Sequence, residues 1–332
     1  MPDQPDQPEH LVSLYHLNDL GPAELRRLLP GHTDLRITEI GPDEDPRDHL
    51  ETLATATVVL APLEKERRIT AELLDVMEQC RLIQSVAVGF DGVDHRAAAE
   101  RGIPVANLPG FNTDAVADWT VGALLYLLRP YAFGHAKIER GEWGPEGVRG
   151  RDVSSLTVGI AGFGNIGRAV ARRLDAFGAR ILVHDPVPSE PGREYVDLDE
   201  LAARSNVLTL HMPLNNATRG LIGDALLQRM PRGSWIVNAG RGGVLDEEAV
   251  VRALDSGQLA GAALDVFTEE PLPASSPLRG RTDVLLNPHA AGVTHEAYHN
   301  LRASVIDSLD LVLSGKPPRN VVNGVAPDQA RV

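Results

Sequence analysis

The chain has 332 residues, 43% of them apolar, which is enough for two globular domains with separate cores and too apolar for a disordered chain. Its formal net charge of −14 and pI of about 5.2 disfavour DNA, RNA or an anionic membrane as partner, since each demands a basic surface. The single cysteine, Cys80, excludes an internal disulfide and fits a reducing compartment.

The start, Met1-Pro-Asp-Gln-Pro-Asp-Gln-Pro8, is polar and proline-rich. It lacks the basic and apolar segments of a signal peptide and reads as a loose tail. No apolar run is long enough to span a bilayer, so a cytoplasmic protein is expected. Residues 11–61 read as strand, helix, strand, with a short apolar strand at Val12-Ser-Leu-Tyr15, a helix over 22–29 and a buried-type strand over 57–60. A helix over 71–80 and a strand over 82–88 follow, and that strand runs into Gly89-Phe-Asp-Gly-Val-Asp94. A helix over 95–101 and a short strand over 105–107 complete a first unit. Such alternation implies a parallel sheet covered on both faces. This unit carries no phosphate-binding fingerprint.

After the loop Leu108-Pro-Gly-Phe-Asn112, a long helix is expected over Thr113–Leu128, capped by Asn112 or Thr113. Its second half is apolar nearly all round, with Val121, Ala123, Leu124, Leu125, Leu127 and Leu128. A helix of that kind is buried on several sides. It is expected at the domain junction and in the interface of a homodimer. Trp143-Gly-Pro and 147–150 make a connecting loop. Six further strands follow, at Thr157–Ala161, Arg180–His184, Val207–Leu210, 235–238, 260–264 and Val284–Leu286. Between them lie helices that include 198–203, 224–229 and 247–256. A helix over 296–313 and a polar tail close the chain. The expected fold is α/β, with two Rossmann-like lobes of doubly wound parallel sheet and a ligand cleft between them. A flavodoxin-like substrate domain takes 1–108 and 296–332, and a nucleotide-binding domain takes 109–295.

The stretch that organises the second lobe is Val158-Gly-Ile-Ala-Gly-Phe-Gly-Asn-Ile-Gly167. An apolar strand runs into Gly162-x-Gly164-x-x-Gly167, and a helix follows with Ile166, Val170, Leu174 and Phe177 on one face. Gly162 permits the tight turn, Gly164 lets the backbone approach a pyrophosphate, and Gly167 lets helix and strand pack closely. The helix N-terminus adds open N–H groups and a positive dipole end. Asp185 ends the second strand about 20 residues on, where an acid meets the adenosine ribose of NAD and repels the 2′-phosphate of NADP. Arg193 is the nearest arginine downstream and could soften that preference.

Four other stretches lie at carboxyl ends of expected strands: His211-Met-Pro213-Leu, Asn238-Ala-Gly-Arg241-Gly, Leu264-Asp-Val-Phe-Thr-Glu-Glu270-Pro271 and Asn287-Pro-His289-Ala-Ala-Gly292. With the glycine loop, and over a span from Val88-Gly-Phe-Asp91 to Gly292, they resemble the D-isomer-specific 2-hydroxyacid dehydrogenases. The resemblance implies an NAD-dependent enzyme that interconverts a 2-oxo acid and a D-2-hydroxy acid. It assigns Arg241, Glu270 and His289 to catalysis and the backbone amides of Val88 and Gly89 to the substrate carboxylate. Gly162, Gly164, Asn165, Ile166, Gly167, Asp185, Pro213, Ala239, Asp265 and Gly292 match cofactor-contact positions, Asp265 that near the nicotinamide carboxamide.

The chemistry agrees with those roles. A guanidinium can fork onto carboxylate and carbonyl oxygens together, which suits Arg241. An imidazole exchanges protons near neutral pH, which suits His289. A carboxylate on one ring nitrogen fixes the tautomer, which suits Glu270, while the adjacent Glu269 is the competing choice. The plain alternatives are a structural histidine at a strand end and a surface arginine. The other histidines have no spacing suited to a metal, and His211 reads as loop structure. One departure from the family is Asp118, where glutamate is usual; an anchoring role at the domain junction is expected. A rival reading of another class is a dinucleotide-sensing corepressor of the same fold, since such proteins retain the cleft residues. Oxidation of an unusual donor such as formate or phosphite is a third; Glu270 argues against formate, since a formate site should pair its histidine with glutamine.

Overall fold

A computed structural model describes residues 9–16, 20–62 and 67–326. The proline-rich start and the last residues of the tail lie outside that set. The chain forms two compact units, Met1–Asn112 with His295–Val332, and Thr113–Thr294.

In the smaller unit five strands are all parallel: β1 (His10–Ser13), β2 (Arg36–Glu39), β3 (Val58–Ala61), β4 (Leu82–Ser85) and β5 (Val105–Ala106). Their order is β2-β1-β3-β4-β5, the flavodoxin-like winding. Successive strand residues serve opposite faces. Val12, Val59 and Ile83 pack with Leu73 and Leu74 of α3 (Ala71–Val76). Leu11, Val58, Leu60 and Leu82 pack with Leu25 of α1 (Pro22–Leu28) and with Leu301, Val305 and Leu309 of α11 (His295–Leu313). The helices α2 (Leu50–Ala54) and α4 (His95–Glu100) complete the layers. Two elements here escape a periodicity reading. Strand β2 is Arg-Ile-Thr-Glu, a half-exposed edge with no apolar run, and α2 is one short turn of helix. Helix α3 stops at Val76, short of the expected residue 80, because the chain leaves helical geometry at Met77.

In the larger unit seven strands are parallel: β6 (Thr157–Ala161), β7 (Arg180–His184), β8 (Glu194–Tyr195), β9 (Val207–Leu210), β10 (Ser234–Asn238), β11 (Leu259–Leu264) and β12 (Val284–Leu286). The order β12-β11-β10-β9-β6-β7-β8 reverses between β6 and β9. That switch point, at the carboxyl ends of the strands, is where doubly wound sheets bind ligands. One face is covered by α5 (Thr113–Leu128) and α7 (Asn165–Ala176), whose Val121, Leu124, Val170 and Leu174 pack on Val158, Ile160 and Val183. The other is covered by α8 (Leu198–Arg204), α9 (Asp224–Leu227) and α10 (Glu247–Asp255) over Leu208, Leu210, Ile236 and Leu264.

Two expectations are corrected, and one helix is added. Asp118 accepts a hydrogen bond from Arg173 Nε at 2.6 Å, and Asp114 accepts one from Arg173 Nη2 at 3.0 Å. The shortened acid therefore ties α5 to α7 inside one unit, because position 118 faces that helix. Phe177 does not share the inward face of α7; the helix ends at Ala176, and Phe177 follows it at 44% exposure. The segment after α5 contains α6 (Tyr131–Glu139), unforeseen because Tyr131, Phe133 and Ile138 point outward and erase any amphipathic pattern. Its buried Lys137 donates to the carbonyls of Gly144 and Glu146 at 3.0 and 3.1 Å, which folds the Trp143 loop back on the helix. Among the described residues no helix is long and apolar enough to cross a membrane.

Two buried histidines are held neutral. His10 lies between the hydroxyls of Thr55 and Thr38, each at 2.9 Å; burial and then Arg36 push its pKa down. Burial pushes His211 down to about 4; its Nε2 pairs with Thr209 Oγ1 at 2.9 Å. Both depressed values mean that the unfolded chain takes up protons first as pH falls. Their contribution is intact above about pH 6.5 and is lost as the pH falls below it, for His211 towards pH 4. The gap in Tm between pH 7.5 and 5, measured by calorimetry, should therefore be smaller in His211→Asn than in the parent chain.

Candidate active site

The glycine turn meets the demands of a dinucleotide phosphate at three separate atoms. Gly162 has φ +93°, and a Cβ there would sit 2.7 Å from the carbonyl carbon of His211, at the end of β9. A Cβ on Gly167 would lie 2.2 Å from Gly162 O, so α7 and β6 could not close up around any other residue. A Cβ on Gly164 would meet nothing within 4 Å, so this side of the turn is open to a ligand. Gly164 is also the N-cap of α7 and offers no side-chain cap, which leaves the first helical amides for an anion. Asn165 Oδ1 accepts from Arg168 Nη2 at 2.9 Å. Ile166 and Ala239 meet in a small apolar cluster with Val116 and Ala291. These residues fit NAD.

Asp185 closes β7. Its Oδ2 accepts from the Phe163 amide at 2.7 Å and its Oδ1 from the Val187 amide at 2.9 Å. Each oxygen has a second lone pair, so the carboxylate can still receive ribose hydroxyls. Arg193 is already engaged, with Asp175 at 2.8 Å and Glu190 at 2.9 Å, and those carboxylates raise its pKa and hold it charged. Pro213 follows β9, and its carbonyl accepts from Thr218 Oγ1 at 2.7 Å.

The side chains expected to be catalytic, Arg241, Glu270 and His289, lie beyond the ends of β10, β11 and β12. Asn238, fully buried at the end of β10, donates to Arg241 O at 3.2 Å and accepts from the Gly240 amide at 3.1 Å, which shapes the turn that presents Arg241. A Cβ on Gly242 would overlap the backbone of Phe267, so only glycine lets this turn rest against the one that carries Glu270. Glu270 Oε1 accepts from the Phe267 amide at 3.0 Å, and its Oε2 lies 3.1 Å from His289 Nδ1. The imidazole is 51% exposed. Asn238 and Gly242 had no role in the sequence reading, although both sit inside its arginine motif; the signal is steric and needs coordinates.

Asp265, expected near the nicotinamide, is 2% exposed, and its carboxylate accepts from Asn287 Nδ2 at 2.6 Å and from the amides of Ala290 at 2.7 Å and Ala291 at 3.1 Å. It ties down the turn that carries His289 and leads to Gly292. In the smaller unit the carbonyls of Gly89 and Val88 accept from Ser85 Oγ at 2.6 Å and Asn107 Nδ2 at 2.7 Å. Their amides donate no hydrogen bond among the described residues. They are open donors of the kind a carboxylate takes.

Asp265→Asn replaces an acceptor by a donor among three donors. A buried mismatch of that kind should cost about 1–3 kcal/mol in urea unfolding, with turnover falling as the His289 turn loosens.

Residues 121–291 match the family model described as "D-isomer specific 2-hydroxyacid dehydrogenase, NAD binding domain". The chain is 39% identical over 264 residues to a glyoxylate reductase of Korarchaeum cryptofilum, covering 77% of this chain and 80% of that one. It is 32% identical over 299 residues to a hydroxypyruvate reductase of Thermotoga maritima, covering 89% and 96%. The structure is similar to that of a glyoxylate reductase from Paecilomyes thermophila, with TM-score 0.84, 29% identity and coverage of 95% and 98%. With its glycine turn, its paired imidazole and carboxylate and these likenesses together, the chain belongs to the D-isomer-specific 2-hydroxyacid dehydrogenases, NAD-binding oxidoreductases of 2-oxo and D-2-hydroxy acids.

Proposed function

We propose that this enzyme reduces a small, unphosphorylated 2-oxo acid, glyoxylate or hydroxypyruvate, with NADH. The 3.1 Å pairing of His289 with Glu270 carries the reading. Glu270 is itself held by the Phe267 amide, so the ring is fixed in one orientation, with Nδ1 committed and Nε2 left to exchange a proton with the substrate oxygen. Arg241 forks onto the carboxylate and the carbonyl oxygen and stabilises the negative charge that grows there. The amides of Val88 and Gly89 are carboxylate donors in this reading. Bound NADH supplies the hydride, and the residues of the glycine turn with Asp185 hold it. Glyoxylate reductases and a hydroxypyruvate reductase among the relatives support a small substrate; D-3-phosphoglycerate dehydrogenases also match, and phosphonopyruvate in the panel below tests for a phosphorylated one. Asp185 supports NAD over NADP, and the lone buried thiol of Cys80 supports a cytoplasmic setting.

Protein assayed with NADH and glyoxylate, hydroxypyruvate, pyruvate, 2-oxoglutarate or phosphonopyruvate should turn over one of the first two fastest. His289→Gln should lower kcat by about 10²- to 10⁴-fold while NADH still quenches the protein's tryptophan fluorescence. Retained turnover removes His289 from the mechanism. NADH binding with no activity on any acid favours the corepressor-like reading.

The same protein is in our reading a homodimer. Tyr131, Ile138 and Trp143 are exposed apolar side chains on α6 and its loop that line an open depression of about 610 Å³. A patch of that kind on a charged protein marks an interface. Light scattering should give twice the chain mass of 35.8 kDa, and Trp143→Glu with Tyr131→Glu should return the monomer.

A further inference from the structure

We propose that Arg168 is a second determinant of cofactor choice, a cation that binds the 2′-phosphate of NADP and is opposed by Asp185. The inference rests on the dinucleotide reading above. Phe163, in the middle of the glycine turn, connects the two charges. Its amide donates to Asp185 Oδ2, and its carbonyl accepts from Arg168 Nη1 at 3.1 Å. Arg168 also reaches Ser189 Oγ at 3.3 Å and Asn165 Oδ1 at 2.9 Å. Ser189 lies four residues beyond Asp185, on the turn that follows the ribose-binding acid. The guanidinium therefore lies against the segment where a 2′-substituent would emerge.

Two contrasts single out Arg168. Its partners are neutral oxygens, and it forms no ion pair among the described residues, so its charge is uncompensated locally. Arg193, the arginine that sequence position favours, is neutralised by Asp175 and Glu190. Three bonds also leave part of the guanidinium's five donors for a further acceptor. The Ser189 hydroxyl beside it accepts from Arg168 and directs its own proton to the Phe163 carbonyl at 3.5 Å. Asp185 thus sets the preference for NAD by repulsion, while Arg168 retains an attraction that the acid masks.

Binding, read by quenching of tryptophan fluorescence, separates the charges. The ligands are NADH, NADPH and adenosine 2′,5′-bisphosphate, and the proteins are the parent chain, Asp185→Ser, Asp185→Ser with Arg168→Gln, and Asp185→Ser with Arg193→Gln. Asp185→Ser should tighten NADPH at least about 10-fold relative to NADH. Adding Arg168→Gln should remove that gain for NADPH and for the bisphosphate, and adding Arg193→Gln should keep it. Asp185→Asn, which preserves shape, replaces the serine variant if that one fails to fold. A gain that survives Arg168→Gln, or that disappears with Arg193→Gln, overturns the inference. If the parent chain binds neither dinucleotide, the cofactor reading fails first; if it binds NADH and Arg168 leaves the NADPH-to-NADH ratio unmoved, this inference alone fails.

Discussion

The pairing of His289 with Glu270 at the carboxyl end of the larger sheet depends on the carboxylate of Asp265. Strands β11 and β12 run parallel, with Leu264 opposite Leu286, so their ends emerge side by side. Asp265 is the first residue past β11, and it gathers Asn287, Ala290 and Ala291 from beyond β12. His289 lies within that turn at φ +52°, a left-handed conformation that costs a non-glycine residue about 1–3 kcal/mol. The strain persists because the turn is over-determined: the His289 amide also donates to Asp265 O at 2.8 Å. Glu270 is five residues along the same chain from Asp265, anchored by the Phe267 amide. One strand end thus fixes both members of the imidazole–carboxylate pair, which a half-exposed histidine on a loose loop could not achieve.

Carboxylates in this unit take different roles according to their burial and the donors they meet. Asp265 is buried and meets three donors, and it works as structure. Glu270 takes the Phe267 amide on one oxygen and faces the His289 imidazole with the other, so it holds a ring in place. Asp185 meets two amides along one side of each oxygen and keeps acceptor capacity for a ligand. Residue type alone does not separate these roles; burial and the identity of the donors do.

Much of this was legible in the sequence, for identifiable reasons. Strands Thr157–Ala161, Arg180–His184, Val207–Leu210 and Val284–Leu286 and helix Thr113–Leu128 match their expected bounds, because buried parallel strands are short continuous apolar runs bounded by glycine, proline or polar residues. The glycine turn was readable because each glycine answers a steric need that no other residue meets. Strand β2, strand β8 and helix α6 were not, since edge strands and helices with outward apolar residues lack the contrast on which periodicity depends. Asp118 was misplaced because a sequence shows that an acid is present but not which helix it faces. Asn238 and Gly242 were invisible because their work is a backbone bond and a missing Cβ.

The turn at Phe163 shows how such local geometry becomes specificity. Its ring is 1% exposed, packed edge-on to Tyr195 at 6.0 Å and beneath the Arg193 guanidinium at 5.9 Å. With the ring anchored, the peptide groups on either side of it cannot rotate freely. The Phe163 amide is aimed at Asp185 and its carbonyl at Arg168, so a fixed backbone holds an anion and a cation in one neighbourhood without letting them pair. Direct pairing would cancel both charges and leave the ribose end indifferent to a 2′-phosphate. Separation by one buried residue keeps each charge available, and on the roles proposed for them the balance between the two, rather than the presence of either, decides which dinucleotide is favoured.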